Sequence, residues 1–309
     1  MGSIFISEKA CTPLRTALEE TGHTIYTVKS SDVVYDAISS HPDIYMCKIN
    51  NVLVIDDSIV MEPDLRRVYM EELERKSDDF SETPIIPVMR PKDSGGYIVF
   101  EMGGIGYEYP FDIAYNAAVT ERFFIHNTKW TSPALLDRAR GAGLEIISVR
   151  QGYTKCSCVT AGGNALITAD EGIIRAITGY NEILREEIRE RQAFKAAGDQ
   201  QSSGERSGIC DPSNSRVLTQ SDLAQEDVRE DGLIDLLAVQ KGGVALEGFE
   251  YGFLGGASGC IGDAVYFNGD LSAHPDFEAI RAFLGRRGYR TIYFEDEPLT
   301  DIGSVIYLP

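Results

Sequence analysis

Positive charge is what this chain has least of. Lysine and arginine together number 29 against 48 aspartates and glutamates, giving a formal net charge of -19 over 309 residues and a pI near 4.6. Nucleic-acid backbones and anionic membranes are polyanions that recruit clusters of basic side chains, so neither is expected as a partner. A cationic or neutral small molecule is. Long apolar runs are also missing: no stretch approaches the roughly 18 residues of a membrane span. Met1 to Ala10 is too short and too polar for a secretory signal. Met1-Gly2 opens like an N-myristoylation signal, but Ile6 stands where serine or threonine is needed. The expected compartment is the cytoplasm.

Histidine is scarce too, with four in the chain, and no Cys/His spacing of the zinc type occurs, so neither metal nor cofactor is expected. The six cysteines (Cys11, Cys47, Cys156, Cys158, Cys210, Cys260) are scattered over a long chain, as free thiols are rather than a framework of bridges. Gly103-Gly-Ile-Gly106 lacks the third glycine of a dinucleotide fingerprint and opens no apolar helix, so it is read as a turn. Gly252 to Gly259 holds four glycines with no Lys-Ser/Thr after them, so it is no phosphate loop. Close backbone approach explains these glycines best; a ligand-cradling role keeps Gly255 and Gly256 as candidates.

What the chain does have is a repeated order of helix, strand, polar segment, turn and strand. One copy runs through a helix at Pro13 to Thr21, a strand at Thr24 to Val28, the segment His41 to Cys47, a turn at Asn50-Asn51 and a strand at Val52 to Asp56. Another has a helix at Pro133 to Arg140, a strand at Leu144 to Val149, the segment Gly152 to Thr160, a Gly162-Gly163-Asn164 turn and a strand at Ala165 to Thr168. Shorter versions centre on Phe111 to Val119, before a strand at Arg122 to His126, and on Tyr251 to Gly259, before one at Ala264 to Phe267. A last one has a helix at Phe277 to Arg286, a strand at Arg290 to Phe294, and Leu299 to Leu308. The dipeptide Asp-Ile recurs at Asp43, Asp112 and Asp301. Repeats of this length are single supersecondary units that need neighbours to cover their apolar surface. With 43% hydrophobic residues the chain can bury a core without staples. We expect one domain over 1–309, with insertions at 66–96 and 185–230. The first carries a charged helix from Pro63 to Lys76 and breaks at Pro84, Pro87 and Pro91; the second carries a polar tract, Gln200 to Asn214, expected to be mobile.

Gln151-Gly-Tyr-Thr-Lys-Cys156, Gly252-Phe-Leu-Gly-Gly-Ala-Ser-Gly259, His41-Pro-Asp-Ile44 and Asp301-Ile-Gly-Ser304 resemble an uncharacterised bacterial family assigned to the guanidine-group-modifying-enzyme fold, also called the pentein or five-bladed propeller fold. The resemblance implies an α/β, pseudo-fivefold propeller of ββαβ units around a central channel. It also implies a guanidino, ureido or amine-bearing substrate, attacked in active relatives by a cysteine assisted by a histidine and carboxylates. This chain departs from that pattern. Where those enzymes carry the nucleophile in the last repeat it has Gly303-Ser304-Val305, and Tyr153 replaces the third-repeat histidine.

Strand side chains alternate between faces. If these segments are strands, His41 pairs with Asp43, Asp112 with Asn116, Asp301 with Gly303, and Tyr153 with Lys155 and Ser157. Cys156 and Cys158 then point into the core. The expected site is therefore His41, Asp43, Asp112, Lys155 and Asp301, with Asn116, Tyr153, Gly255, Gly256 and Ser304 binding. Two functions fit: a modifying enzyme using His41 or a raised-pKa aspartate for proton transfer, or a non-catalytic binding or structural protein lacking the Cys/His pair. A solvated mouth where charges merely end strands is the bland alternative.

Overall fold

The computed structural model describes residues 2–65, 67, 88–89, 95–201 and 232–309. Most of the expected insertion at 66–96, with its helix and proline breaks, lies outside the described residues, as do Cys210 and all but the first two residues of the tract from Gln200 to Asn214. The chain divides into two compact units, Met1–Ala176 with Asp235–Pro309, and Ile177–Ile234. Within the smaller unit the Asn181 side chain is buried and brackets Ile234, donating to its carbonyl at 2.7 Å and accepting from its N–H at 3.0 Å.

The fold is mixed α/β. The described strands form five small, separate mixed sheets of three or four strands, with six α-helices. This corrects the expected propeller: the described strands close into neither a barrel nor a propeller, and each pairs with other strands only within its own sheet. The sheets are also unequal. The first joins both ends of the chain, in the order Ile306–Leu308, Ser3–Ser7, Thr24–Val28, Met61–Glu62, and the second also has four strands.

One pairing pattern is shared. In every sheet an antiparallel pair is extended by a strand parallel to its second member: Cys158–Thr160 with Ala165–Thr168, then Asp235–Ala238; Ser258–Ile261 with Ala264–Phe267, then Arg290–Ile292. Parallel strands need a crossover, and a helix supplies it where Thr12–Glu19 links strands of the first sheet, Pro133–Gly141 of the third and Phe277–Gly285 of the fifth. Pro13 and Pro133 sit in the first turn of their helices, where the missing N–H costs nothing, and the Ser132 hydroxyl accepts from the Leu135 N–H. Helix Thr12–Glu19 buries Leu14 and Leu18, four apart and so on one face. Helix Phe277–Gly285 buries Ile280, Phe283 and Leu284 against Val265 and Phe267.

Central strands are covered on both faces, which is why Phe123–His126, Ala165–Thr168 and Ala264–Phe267 are buried at every position. Ahead of the first strand of each antiparallel pair the chain carries a short connecting segment: 41–45, 112–117, 153–157, 252–257 and 300–305. Two of these hold a four-residue helical turn, Pro42–Tyr45 and Thr154–Ser157, rather than the expected strand. That change of backbone reorders the faces on which the site depends.

Candidate functional site

The five segments are tied to one another by polar contacts. Asn116 is the hub on one side: its Oδ1 accepts from the backbone N–H of Lys155 at 2.9 Å and of Cys156 at 3.2 Å, and its Nδ2 donates to the Asp43 carbonyl at 3.1 Å. The Gly256 N–H donates to the Cys156 carbonyl at 2.8 Å, and the Gly256 carbonyl accepts from Ile302 and Ser304. The Asp43 N–H donates to the Gly303 carbonyl at 3.1 Å and completes the circuit. Asp43, Asn116, Cys156, Ile302 and Ser304 are buried, and Lys155 is partly buried.

Glycine is required at two of these crossings. A Cβ on Gly256 would overlap the Asp301 carboxylate, and one on Gly303, whose φ is +72°, would overlap the Cα and Cβ of His41. Gly255 likewise faces the Cys156 and Cys158 carbonyls. Close backbone approach is therefore what these glycines do. Ser304 follows with φ of +68°, a region that costs a non-glycine residue on the order of 1 kcal/mol, and that conformation aims its hydroxyl inward.

The Ser304 hydroxyl donates to Asp43 Oδ2 at 2.6 Å, lies 3.0 Å from the Gly255 carbonyl, and accepts from Lys155 Nζ at 3.0 Å. The Cys156 thiol donates to the same carboxylate oxygen at 3.0 Å, and Asn116 Nδ2 reaches Cys156 Sγ at 3.2 Å. The expected core-facing Cys156 is thus corrected. Strand alternation does not hold across a helical turn, and Cys156 points at Asp43 while Cys158 stays in the interior.

Asp301 accepts from the Phe253 N–H at 2.9 Å and the Gly303 N–H at 3.0 Å. Its Oδ1 is 3.8 Å from His41 Nδ1, too long for a hydrogen bond. Neither His41 nitrogen has a hydrogen-bond partner, and neither does Asp43 Oδ1. Asp112 stands apart from this centre. Its Oδ2 accepts from the Tyr153 hydroxyl at 2.5 Å, and Tyr153 in turn lies 3.1 Å from the Tyr35 hydroxyl. Of the expected residues, then, His41, Asp43, Asn116, Lys155, Gly255, Gly256, Asp301 and Ser304 meet, and Asp112 joins them only through Tyr153. Sequence reasoning placed Cys156 in the core rather than at the site, and missed Tyr35 and Phe253. The Gln151-to-Cys156 motif marked Cys156, while Tyr35 lies in an irregular stretch with no pattern to mark it.

Burial dominates the electrostatics. It pushes Asp301 up to about 7, helped by the nearby Asp43 charge, and holds Asp43 above the usual carboxylate range against the Lys155 ammonium and its hydrogen bonds. Burial, then the Asp43 and Asp301 charges, raise Cys156 well above the ordinary thiol value, so it is a thiol at neutral pH. Burial lowers His41 to about 3, and the imidazole is neutral. Burial and the Asp112 bond raise Tyr153.

A cavity of about 310 Å³ opens on this centre. His41, Cys156 and Asp301 form its polar base; Tyr35, Tyr153 and Phe253 stand among its aromatic walls. A second cavity, of about 330 Å³, meets Lys155 and Lys48. The model of a family of unknown function, DUF6873, matches residues 5–84, 92–189 and 208–306. No curated protein matches the chain.

Proposed function

The chain belongs to DUF6873, a family whose function is unknown, and from the site itself we propose that it binds a small molecule bearing an amine, guanidinium or ureido group in the 310 Å³ cavity. The observation that carries this reading is the pairing of aromatic walls with buried acids. Tyr35, Tyr153 and Phe253 offer ring faces that attract a cation, and Asp301 at the base offers its counter-charge. Glu250 lines the same cavity from an exposed position and adds a second carboxylate. A pocket of this size with few polar groups among apolar ones suits a metabolite rather than a polymer.

Binding without turnover is favoured over catalysis by one observation. Burial, then the Asp43 and Asp301 charges, keep Cys156 a thiol that donates to Asp43, and neutral His41 has no hydrogen-bond partner it could deprotonate. Partners of other kinds, nucleic acid and membrane among them, are not part of this reading; no helix among the described residues is long and apolar enough to cross a membrane. A cytoplasmic location belongs to the same reading and agrees with the five free cysteines among the described residues.

A thermal-shift screen of guanidino compounds, amino acids and polyamines tests it, since a ligand that binds only the native state raises the melting temperature. A cationic member is expected to raise it, and Glu250→Gln and Asp301→Asn to weaken that shift. If every cation leaves the melting temperature unchanged, or the shift survives in both variants, the reading fails.

A further inference from the structure

We infer that His41, Asp43 and Cys156 form a binding site for a divalent transition-metal ion of the zinc class, with a fourth coordination position open to the 310 Å³ cavity. One donor atom from each of these residues lies within 4.8 Å of the other two, and all three residues are buried. Imidazole, carboxylate and thiolate are the three donor types that zinc takes, and three protein ligands with one open position is the arrangement of sites that exchange a ligand.

A second, independent observation points the same way. His41 is 1% exposed, yet both of its ring nitrogens lack a hydrogen-bond partner, and so does Asp43 Oδ1. Buried polar atoms are almost always paired, and each one left unpaired costs about 1–3 kcal/mol. A histidine with two orphan nitrogens facing a carboxylate and a thiol is costly as a packing element. It is well suited to donate a lone pair to an ion. The imidazole is neutral in this environment, which is the form that binds metal.

The fit is close without being finished. Ligands at about 2.0–2.3 Å from a tetrahedral ion stand roughly 3.5 Å apart. With donor atoms within 4.8 Å of one another, the longest side of the triad closes by at most about 1.3 Å. The Cys156–Asp43 contact, at 3.0 Å, widens as its thiol proton is lost. In that step the S–H bond breaks, the proton leaves to solvent, and sulfur donates its electron pair to the ion. The surroundings already hold the ligands in place. Ser304 bonds Asp43 Oδ2, Asn116 Nδ2 reaches the sulfur, and Gly303 packs on His41. Such supporting contacts orient metal ligands and are worth about 10- to 100-fold in affinity. Lys155 opposes the ion's charge from beyond Ser304, while Asp301, 3.8 Å from His41, offsets it.

The inference does not depend on the ligand reading, because metal binding is measured with no organic molecule present. Full-length protein, stripped by chelator and freed of any tag, is titrated with Zn²⁺ and separately with Co²⁺. One ion per chain is expected, with release of at least one proton and a thiolate-to-cobalt charge-transfer band with tetrahedral d–d intensity. Cys156→Ser is expected to abolish that band and weaken Zn²⁺ binding by more than about 100-fold, whereas Cys260→Ser, altering a thiol outside the triad, leaves both unchanged. A cobalt spectrum without the charge-transfer band overturns the inference on the unmutated protein alone, so it stands or falls even if the variants unfold. Equal Zn²⁺ affinity in Cys156→Ser and Cys260→Ser also overturns it. Running the ligand screen with and without chelator separates failure of this site from failure of the cavity.

Discussion

His126 shows how far a single buried side chain can reach toward the site. It ends the strand Phe123–His126, its Nε2 lies 2.9 Å from the Gly152 carbonyl, and its Nδ1 lies 2.7 Å from the Thr131 hydroxyl. With the Nε2 proton donated to Gly152, the ring holds the backbone one residue before Tyr153. Burial lowers its pKa to about 4, against 6.5 for the free side chain. The unfolded chain thus takes up a proton that the folded chain refuses. Stability from this group is complete above pH 6.5 and is lost as pH falls toward 4, by about 2 kcal/mol at pH 5 and on the order of 3 kcal/mol at the end. Urea unfolding of wild type and His126→Gln at pH 7 and pH 5 checks this: the variant is expected to lose less stability over that interval. A variant that loses as much as wild type would place the pH dependence elsewhere.

At the scale of elements, the helical turn Thr154–Ser157 is the piece that the sequence hid. Four residues are too few to show a 3.6-residue period, and Thr, Cys and Ser are indifferent helix formers, so nothing in the local pattern opposed a strand. What holds the turn is remote: Asn116 accepts from Lys155 and Cys156 with its side chain, and from Thr154 and Lys155 with its carbonyl. By contrast, Val52–Asp56, Ala165–Thr168 and Ala264–Phe267 were legible to the residue, because each is an apolar run following a tight turn and is buried throughout or nearly so. The strand Ser3–Ser7 was not, since its partners Ile306–Leu308 and Thr24–Val28 include the far end of the chain. Asn116→Ala should cost about 3 kcal/mol in chemical denaturation, because it strands the Cys156 N–H and frees the Asp43 carbonyl in the interior. Asn116→Asp keeps the acceptor but sets a second charge beside Asp43, and should cost at least as much. A loss under about 1 kcal/mol in both would show that the turn holds itself.

For the molecule as a whole, the convergence of acids was legible and the architecture was not. The recurring Asp-Ile dipeptide marked Asp43, Asp112 and Asp301; Asp43 and Asp301 meet, and Asp112 stands apart on Tyr153. Pairing, however, stays within five sheets whose unequal strand numbers no repeat in the sequence disclosed. The same distinction separates two kinds of charge. Asp43 and Asp301 are buried, where salt screens little, while among the described residues acids such as Asp137, Glu171, Glu247 and Glu250 are exposed. Exposed ion pairs such as Arg122–Glu145 and Arg290–Asp263, both at 2.8 Å, offset only part of that repulsion and are worth little individually. Unfolding moves the surface acids apart, so self-repulsion favours the unfolded chain most at low ionic strength, where the Debye length reaches about 30 Å at 0.01 M. Raising sodium chloride from about 0.01 M to about 0.15 M shortens that length to about 8 Å. The melting temperature at pH 7.5 should therefore rise across this range and flatten above it. The Ser304–Asp43 contact is buried and Lys155 is partly buried, so Lys155→Met should leave the shape of that curve unchanged even as the variant's absolute stability differs. A melting temperature that falls with salt would mean that surface attraction outweighs the acidic excess, and a flattened curve in Lys155→Met would mean that the central charges are exposed to ions after all.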